Sequence, residues 1–229
     1  SLDAYKYLFY KASEIFRAYG ITVFITVVGT AASLFITPLL AYPLSRKDFK
    51  ARNIFSFLVF FTMLFNGGIV PSYIMWTRIF HLKNTITALI LPGLLMNGFN
   101  VILMKNYFAQ NIPAELIEAA KMDGAGEFKI FFKMILPLSL PIMATVGLFV
   151  GIGYWNDWTN GLYYVTDAKL YSLQNLLNRI LQDVQFLNSS TMTNAGVAAT
   201  TQMPSVSIRM AISVVGILPI MVLYPFFQK

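Results

Sequence analysis

Cysteine is absent from the 229 residues and histidine occurs once, as His81. Disulfides and thiolate metal sites are therefore excluded, and so is a histidine metal cluster within the chain. Charge is scarce: Asp, Glu, Lys and Arg make up 12% of residues, against about a quarter in a soluble domain. No G-x-x-x-x-G-K-[ST] occurs, so the chain has no P-loop to cradle nucleotide phosphates. No acid/base pair or Ser/His arrangement lies in the apolar segments, which argues against a membrane hydrolase. There is no repeat, heptad seam, low-complexity run or basic stripe on a soluble fold, and the last of these absences sets nucleic-acid binding aside.

What is present is hydrophobic: 57% of residues are apolar and the mean hydropathy is +0.63. These values describe an integral membrane protein, read as a single membrane domain over residues 1–229 and all-α. Residues 1–19 mix aromatic and charged groups at helical spacing, the pattern of an amphipathic helix on the membrane surface. Five stretches are long enough to cross about 30 Å of hydrocarbon: 20–42, 54–76, 85–104, 138–154 and 204–226. Several carry Gly, Pro or Asn inside, tolerated where protein or a water-filled cavity satisfies the freed backbone.

The short loop after the first stretch holds Arg46, Lys47, Lys50 and Arg52 against Asp48, which places it in the cytoplasm. Alternation then puts 107–137 and Lys229 inside and 155–203 outside. Five spans with an inside C-terminus put the N-terminus outside, and the simplest account is a sixth helix upstream of Ser1. The net charge of +7 accords with cytoplasmic loops and lipid headgroups.

The most polar helix-prone piece, 112–141, lies between these stretches. Pro113 suits a first helical turn, and Glu115 and Glu118 favour the positive end of its dipole. Ala114, Ala119 and Ala120 keep that helix slim, and Gly124 breaks it after Asp123. A second amphipathic stretch follows and ends at Pro137. The residues alone give helix, glycine elbow, helix.

Glu118-Ala119-Ala120, then Gly124, then Leu136-Pro137 resembles the EAA motif of ABC-importer membrane subunits, E-A-A-x3-G-x9-I-x-L-P, with Met134 where the pattern has Ile. The resemblance implies an ABC importer type I permease fold and a coupling element made by Glu118, Ala119, Ala120, Asp123, Gly124 and Pro137. AYPLSRKDFKAR (41–52), NTITALILP (84–92), FNVILMKNYFAQNIPAELIEAA (99–120), WNDW (155–158) and YSLQNLL (171–177) are similar to the carbohydrate branch of the maltose-transporter type. GGIVPSY (67–73) is similar to a sub-branch importing complex oligosaccharides, including alginate or aldouronates.

The resemblance implies a permease subunit of an ATP-driven oligosaccharide importer in the bacterial cytoplasmic (inner) membrane. Its partners would be a second homologous permease, two ATP-binding subunits and a solute-binding protein. The chain itself would be non-catalytic and without a cofactor, ATP and Mg belonging to the partner ATPase. The segment from about 187 to 203 sits where family members insert a loop into the binding protein, which points to Ser189, Ser190, Thr191, Asn194 and Gly196.

For the substrate path the residues offer Asn66, Asn97 and Asn100, which line a pathway or hydrogen-bond between helices. Tyr154, Trp155, Asn156 and Asp157 sit at an outer end. They either stack on and hydrogen-bond a sugar or form an interfacial aromatic belt. Arg209, the one charge well inside a span, either snorkels outward or pairs with Asp157. The outside segments carry seven cations (Lys6, Lys11, Arg17, Arg78, Lys83, Lys169, Arg179) against five acids (Asp3, Glu14, Asp157, Asp167, Asp183), a faint preference for acidic saccharides. The alternatives are an ABC permease for another small solute, a purely structural scaffold subunit and an ion-gradient-driven transporter. The last needs acids deep in the spans, and here Asp157 is only at an edge.

Overall fold

The computed structural model describes residues 12–193 and isolated positions between 210 and 221. Among the described residues the secondary structure is helical throughout. Helix α1 (Ala12–Ser45) is long and apolar. It runs through Gly20 without a break, so residues 12–19 of the expected surface helix and the expected span 20–42 belong to one helix. Gly20 has no neighbour that a side chain would meet, and nothing there ends the hydrogen-bond ladder. At about 1.5 Å per residue α1 exceeds the hydrocarbon thickness. Pro38 and Pro43 lie inside it, each leaving one carbonyl without its helical donor.

The expected span 54–76 is two helices at 111° to each other, α2 (Arg52–Leu64) and α3 (Ile69–Ile79). Between them Asn66 Oδ1 accepts the Gly68 N–H at 2.9 Å, and Gly68 takes φ 89°, a conformation that L side chains rarely adopt. Pro71 falls in the first turn of α3, where an N–H has no helical partner. The last turn of α3, Met75–Ile79, is a π-helix.

The expected span 85–104 is also interrupted. Helix α4 covers only Thr87–Ile90, and Pro92 with Gly93 at φ 72° turns the chain. Asn97 then caps α5 (Gly98–Asn111) by accepting the Phe99 N–H. Helix α5 packs antiparallel on α2: Gly98 lies against Met63 and the Val59 carbonyl, and Lys105 Nζ reaches Ser56 Oγ at 2.9 Å.

Next come α6 (Ala114–Met122) and α7 (Glu127–Leu138), which bends by 78° into α8 (Leu140–Asn156). Pro137 and Pro141 flank that bend and remove two donors. The buried Ser139 hydroxyl takes over the Ile135 carbonyl at 2.6 Å. The 155–203 segment, expected as a loop, is helical over α9 (Thr159–Tyr164) and α10 (Leu173–Thr193).

By length and composition one described helix can cross a membrane, or up to three if each bent pair counts as one span. Residues 204–226 of the fifth expected span lie largely outside the described residues.

The chain forms two compact units. In one, comprising Thr26–Phe80 and Ile90–Tyr154, α8 packs against α1. The Tyr154 ring occupies the space that a side chain at Gly29 would need, and its hydroxyl donates to the Ile90 carbonyl at 2.8 Å. Farther along, Leu34 lies against Gly147 and Thr30 against Gly151. Glycine thus lets the helices approach closely, as membrane interfaces favour.

In the other unit, comprising Ser1–Ile25, His81–Leu89 and Trp155–Lys229, hydrogen bonds join distant turns. The Leu173 N–H donates to Thr22 Oγ1 at 2.8 Å, and the Trp155 indole N–H to the Gly216 carbonyl at 3.1 Å. Asn84, at φ 56°, accepts from the Thr166 and Asp167 N–H groups through Oδ1. Asn tolerates that left-handed conformation better than most residues.

Candidate functional site: the elbow between α6 and α7

The site is built around Gly124. Helix α6 ends in a Schellman closure: the Ala125 N–H bonds the Ala120 carbonyl at 2.9 Å and the Gly124 N–H bonds the Lys121 carbonyl at 3.0 Å. That closure demands a left-handed residue, and Gly124 supplies it at φ 77° with open space where a Cβ would stand. Asp123 is the cap residue. The Lys121 ammonium then sits at the negative end of α6, and the Glu127 carboxylate at the positive start of α7.

Of the residues singled out for coupling, Glu118, Ala119, Ala120, Asp123 and Gly124 lie on α6 and the turn after it, and Pro137 lies at the far end of α7. Glu118, Ala119, Asp123, Gly124 and Pro137 are exposed, whereas Ala120 and Ile117 are buried. Two large apolar side chains that the sequence reading passed over flank the elbow, Met122 at 85% and Phe128 at 77% exposure. Their signal was legible, an apolar residue on each side of a polar glycine turn.

Behind the elbow lies a set of charges that sequence reading also missed. The Arg46 guanidinium grips Asp48 with two nitrogens, Nε to Oδ1 at 2.9 Å being one of the bonds. Asp48 Oδ2 lies 3.3 Å from Lys121 Nζ, Lys121 Nζ 2.8 Å from Glu127 Oε1, and Glu127 Oε2 3.4 Å from Arg46 Nη1. The four charges alternate around a closed cycle. Tyr42 bridges it, accepting from Arg46 Nη1 at 2.7 Å and donating to Glu127 Oε2 at 3.0 Å. The Arg46 fork holds the Asp48 carboxyl at a pKa of about 2, and the Glu127 carboxylate raises that of Lys121. Below the cycle an apolar cleft is lined by Leu39, Pro43, Phe49, Phe128 and Phe131.

The residues offered for a substrate path are not gathered into one place. Asn66 closes the turn between α2 and α3, Asn97 caps α5, and Asn100 is buried in α5. Tyr154 is fully buried, with its hydroxyl on Ile90, so within this chain it is a packing residue. Trp155 is buried too and Asn156 is exposed. Asp157 Oδ1 accepts the Thr159 and Asn160 N–H groups at the start of α9, and burial raises its carboxyl pKa.

The pairing of Asp157 with Arg209 lies outside the described residues. So do Asn194 and Gly196, while the backbone at Ser189, Ser190 and Thr191 is helical, in the last turns of α10, where a loop had been expected. Among the described residues no cluster of His, Cys, Asp and Glu could hold a metal.

The chain as a whole has counterparts among known proteins. A family model described as the binding-protein-dependent transport system inner membrane component matches residues 21–229. The chain is 44% identical to Protein LplC of Bacillus subtilis (strain 168), covering 100% of this chain and 75% of that protein. It is 42% identical to the polygalacturonan/rhamnogalacturonan transport system permease protein YtcP of the same organism, covering 100% of this chain and 78% of that one. Among solved structures, that of a bacterial ABC transporter involved in the import of the acidic polysaccharide alginate matches with a TM-score of 0.78 and 33% identity, over 94% of this chain and 75% of its counterpart. Family match, identity along the whole of this chain and shared fold agree: the chain belongs to the inner membrane components of binding-protein-dependent transport systems.

Proposed function

We propose that the chain is the permease subunit of an ATP-driven importer for oligosaccharides, with acidic, uronate-containing ones as the preferred class. The observation that carries the importer reading is the exposed elbow, which pairs the E-A-A-x3-G spacing with a chain that has no P-loop of its own. A membrane subunit without a nucleotide site needs an ATPase outside itself, and Met122, Phe128 and Glu118 give that partner something to hold. The substrate class rests on a relative named for polygalacturonan and rhamnogalacturonan transport, on the solved importer of the acidic polysaccharide alginate, and on the basic excess in the outside segments.

In this reading the elbow and the C-terminus face the cytoplasm, and two ATP-binding subunits carry ATP and Mg. A second homologous permease completes the path, and a solute-binding protein delivers substrate from outside. Closure of the ATPases displaces α6, and the elbow passes that displacement to α7 and, through the Ser139 bend, to α8. Binding energy from ATP thus becomes a change of helix arrangement, a two-state shift of the kind that couples distant sites.

The test is uptake by proteoliposomes holding the complete complex. A uronate oligosaccharide should enter with ATP inside and its binding protein outside, and a neutral oligosaccharide of equal length should enter more slowly. Equal rates for the two would remove the acidic preference and leave the importer reading standing.

A further inference from the structure

The charge cycle behind the elbow joins two parts of the chain that the EAA spacing does not relate. Lys121 stands before Gly124 and Glu127 after it, so their 2.8 Å contact staples the two arms of the elbow. Arg46 and Asp48 come from the loop leaving α1, and they close the cycle on Glu127 and Lys121. The Schellman bonds fix only the local turn. Gly124 has open space around it and both flanking apolar side chains are exposed. The polar link between the elbow and the end of α1 is this cycle, with the Tyr42 hydroxyl at its centre; beneath it the Tyr42 and Phe131 rings lie 5.4 Å apart, and Leu39, Pro43 and Phe128 line one cleft.

We propose that Arg46 is a positioning residue for energy coupling: it clamps the elbow to α1 so that displacement of α6 moves α1 together with α7. Three features single it out from the other members. It is the most shielded of the four, its side chain 13% exposed against 40% to 57% for the rest. It alone bonds both carboxylates and the Tyr42 hydroxyl. Its planar fork fits a carboxylate bidentately, which a lysine cannot do. Isolated exposed ion pairs contribute little to stability. A closed network around a shielded guanidinium orients more than it stabilises, and orientation is what a coupling joint needs.

This inference rests on the importer reading, and its test separates the two. The complete transporter is reconstituted and the oligosaccharide imported per ATP hydrolysed is measured. The double variant Lys121→Glu, Glu127→Lys keeps the attraction across the elbow and sets like charges against Asp48 and Arg46. It should assemble and hydrolyse ATP, yet import about five-fold less per ATP. Adding Arg46→Glu and Asp48→Arg restores the alternation and should bring the ratio back to within about two-fold of the unaltered complex. If the double variant does not assemble, Arg46→Gln replaces it and should show the same loss. An unchanged ratio in the double variant or in Arg46→Gln, or no recovery in the four-fold variant, overturns the assignment. Failure of the unaltered complex to import with ATP would instead strike at the importer reading.

Discussion

Tyr154 shows how a single side chain can change its meaning once its neighbours are known. At the end of an apolar stretch and beside Trp155, Asn156 and Asp157 it looks like part of a sugar-facing rim. In the structure it is buried on Gly29 with its hydroxyl on the Ile90 carbonyl. Tyr154→Phe leaves that buried carbonyl unpaired and should cost about 1–3 kcal/mol, read as a lowered thermal midpoint of the purified complex. Gly29→Ala would force the ring aside and should cost a similar amount through overpacking. An unshifted midpoint in both would mean that this joint holds nothing. Asp48 carries a pH prediction. Its carboxyl is depressed from an ordinary 3.8 to about 2, so its contribution is fully present above about pH 4 and is lost as pH falls through 2. Coupling should therefore not vary through Asp48 between about pH 5 and 8. Asp48→Asn at neutral pH should reproduce the loss that acid would cause.

Among the elements the elbow was the most legible. Its start signal, alanine run, glycine stop and terminal proline are local, and local signals survive in sequence. The charge cycle was not legible, because Arg46 and Asp48 meet Glu127 and Lys121 across 81 and 73 residues, and no periodicity connects them. Arg46 could be read only as one more cation in a cytoplasmic loop. The helix breaks were half legible. Gly and Pro inside the apolar stretches mark interruptions, but a hydropathy window cannot say that the chain turns by 111° where Gly68 takes φ 89°. Ser139 was missed altogether, since one hydroxyl within an apolar run looks incidental until its bond to Ile135 is seen. The prediction at this scale concerns Gly124. Gly124→Ala meets no neighbour and should cost only about 1 kcal/mol of left-handed strain. Gly124→Pro cannot adopt φ 77° and loses the bond to the Lys121 carbonyl, so it should abolish import while ATP hydrolysis continues. Coupled import in the proline variant would mean that the elbow is not the coupling element.

For the whole molecule, the scarcity of charge marks a membrane protein, the resemblance of 118–137 to the EAA motif points to an importer subunit, and the family and the relatives matched over this whole chain agree with that class. A membrane subunit of this kind works only within an assembly, so the decisive observations are made on that assembly. The central claim is that transport through this chain is driven by ATP hydrolysed elsewhere. It is tested most directly by uronate oligosaccharide uptake into proteoliposomes that contain both permeases and the binding protein, prepared with and without the ATP-binding subunits and with ATP or an imposed ion gradient. The account predicts uptake only where the ATP-binding subunits and ATP are both present. Accumulation driven by the ion gradient in vesicles lacking those subunits would contradict it.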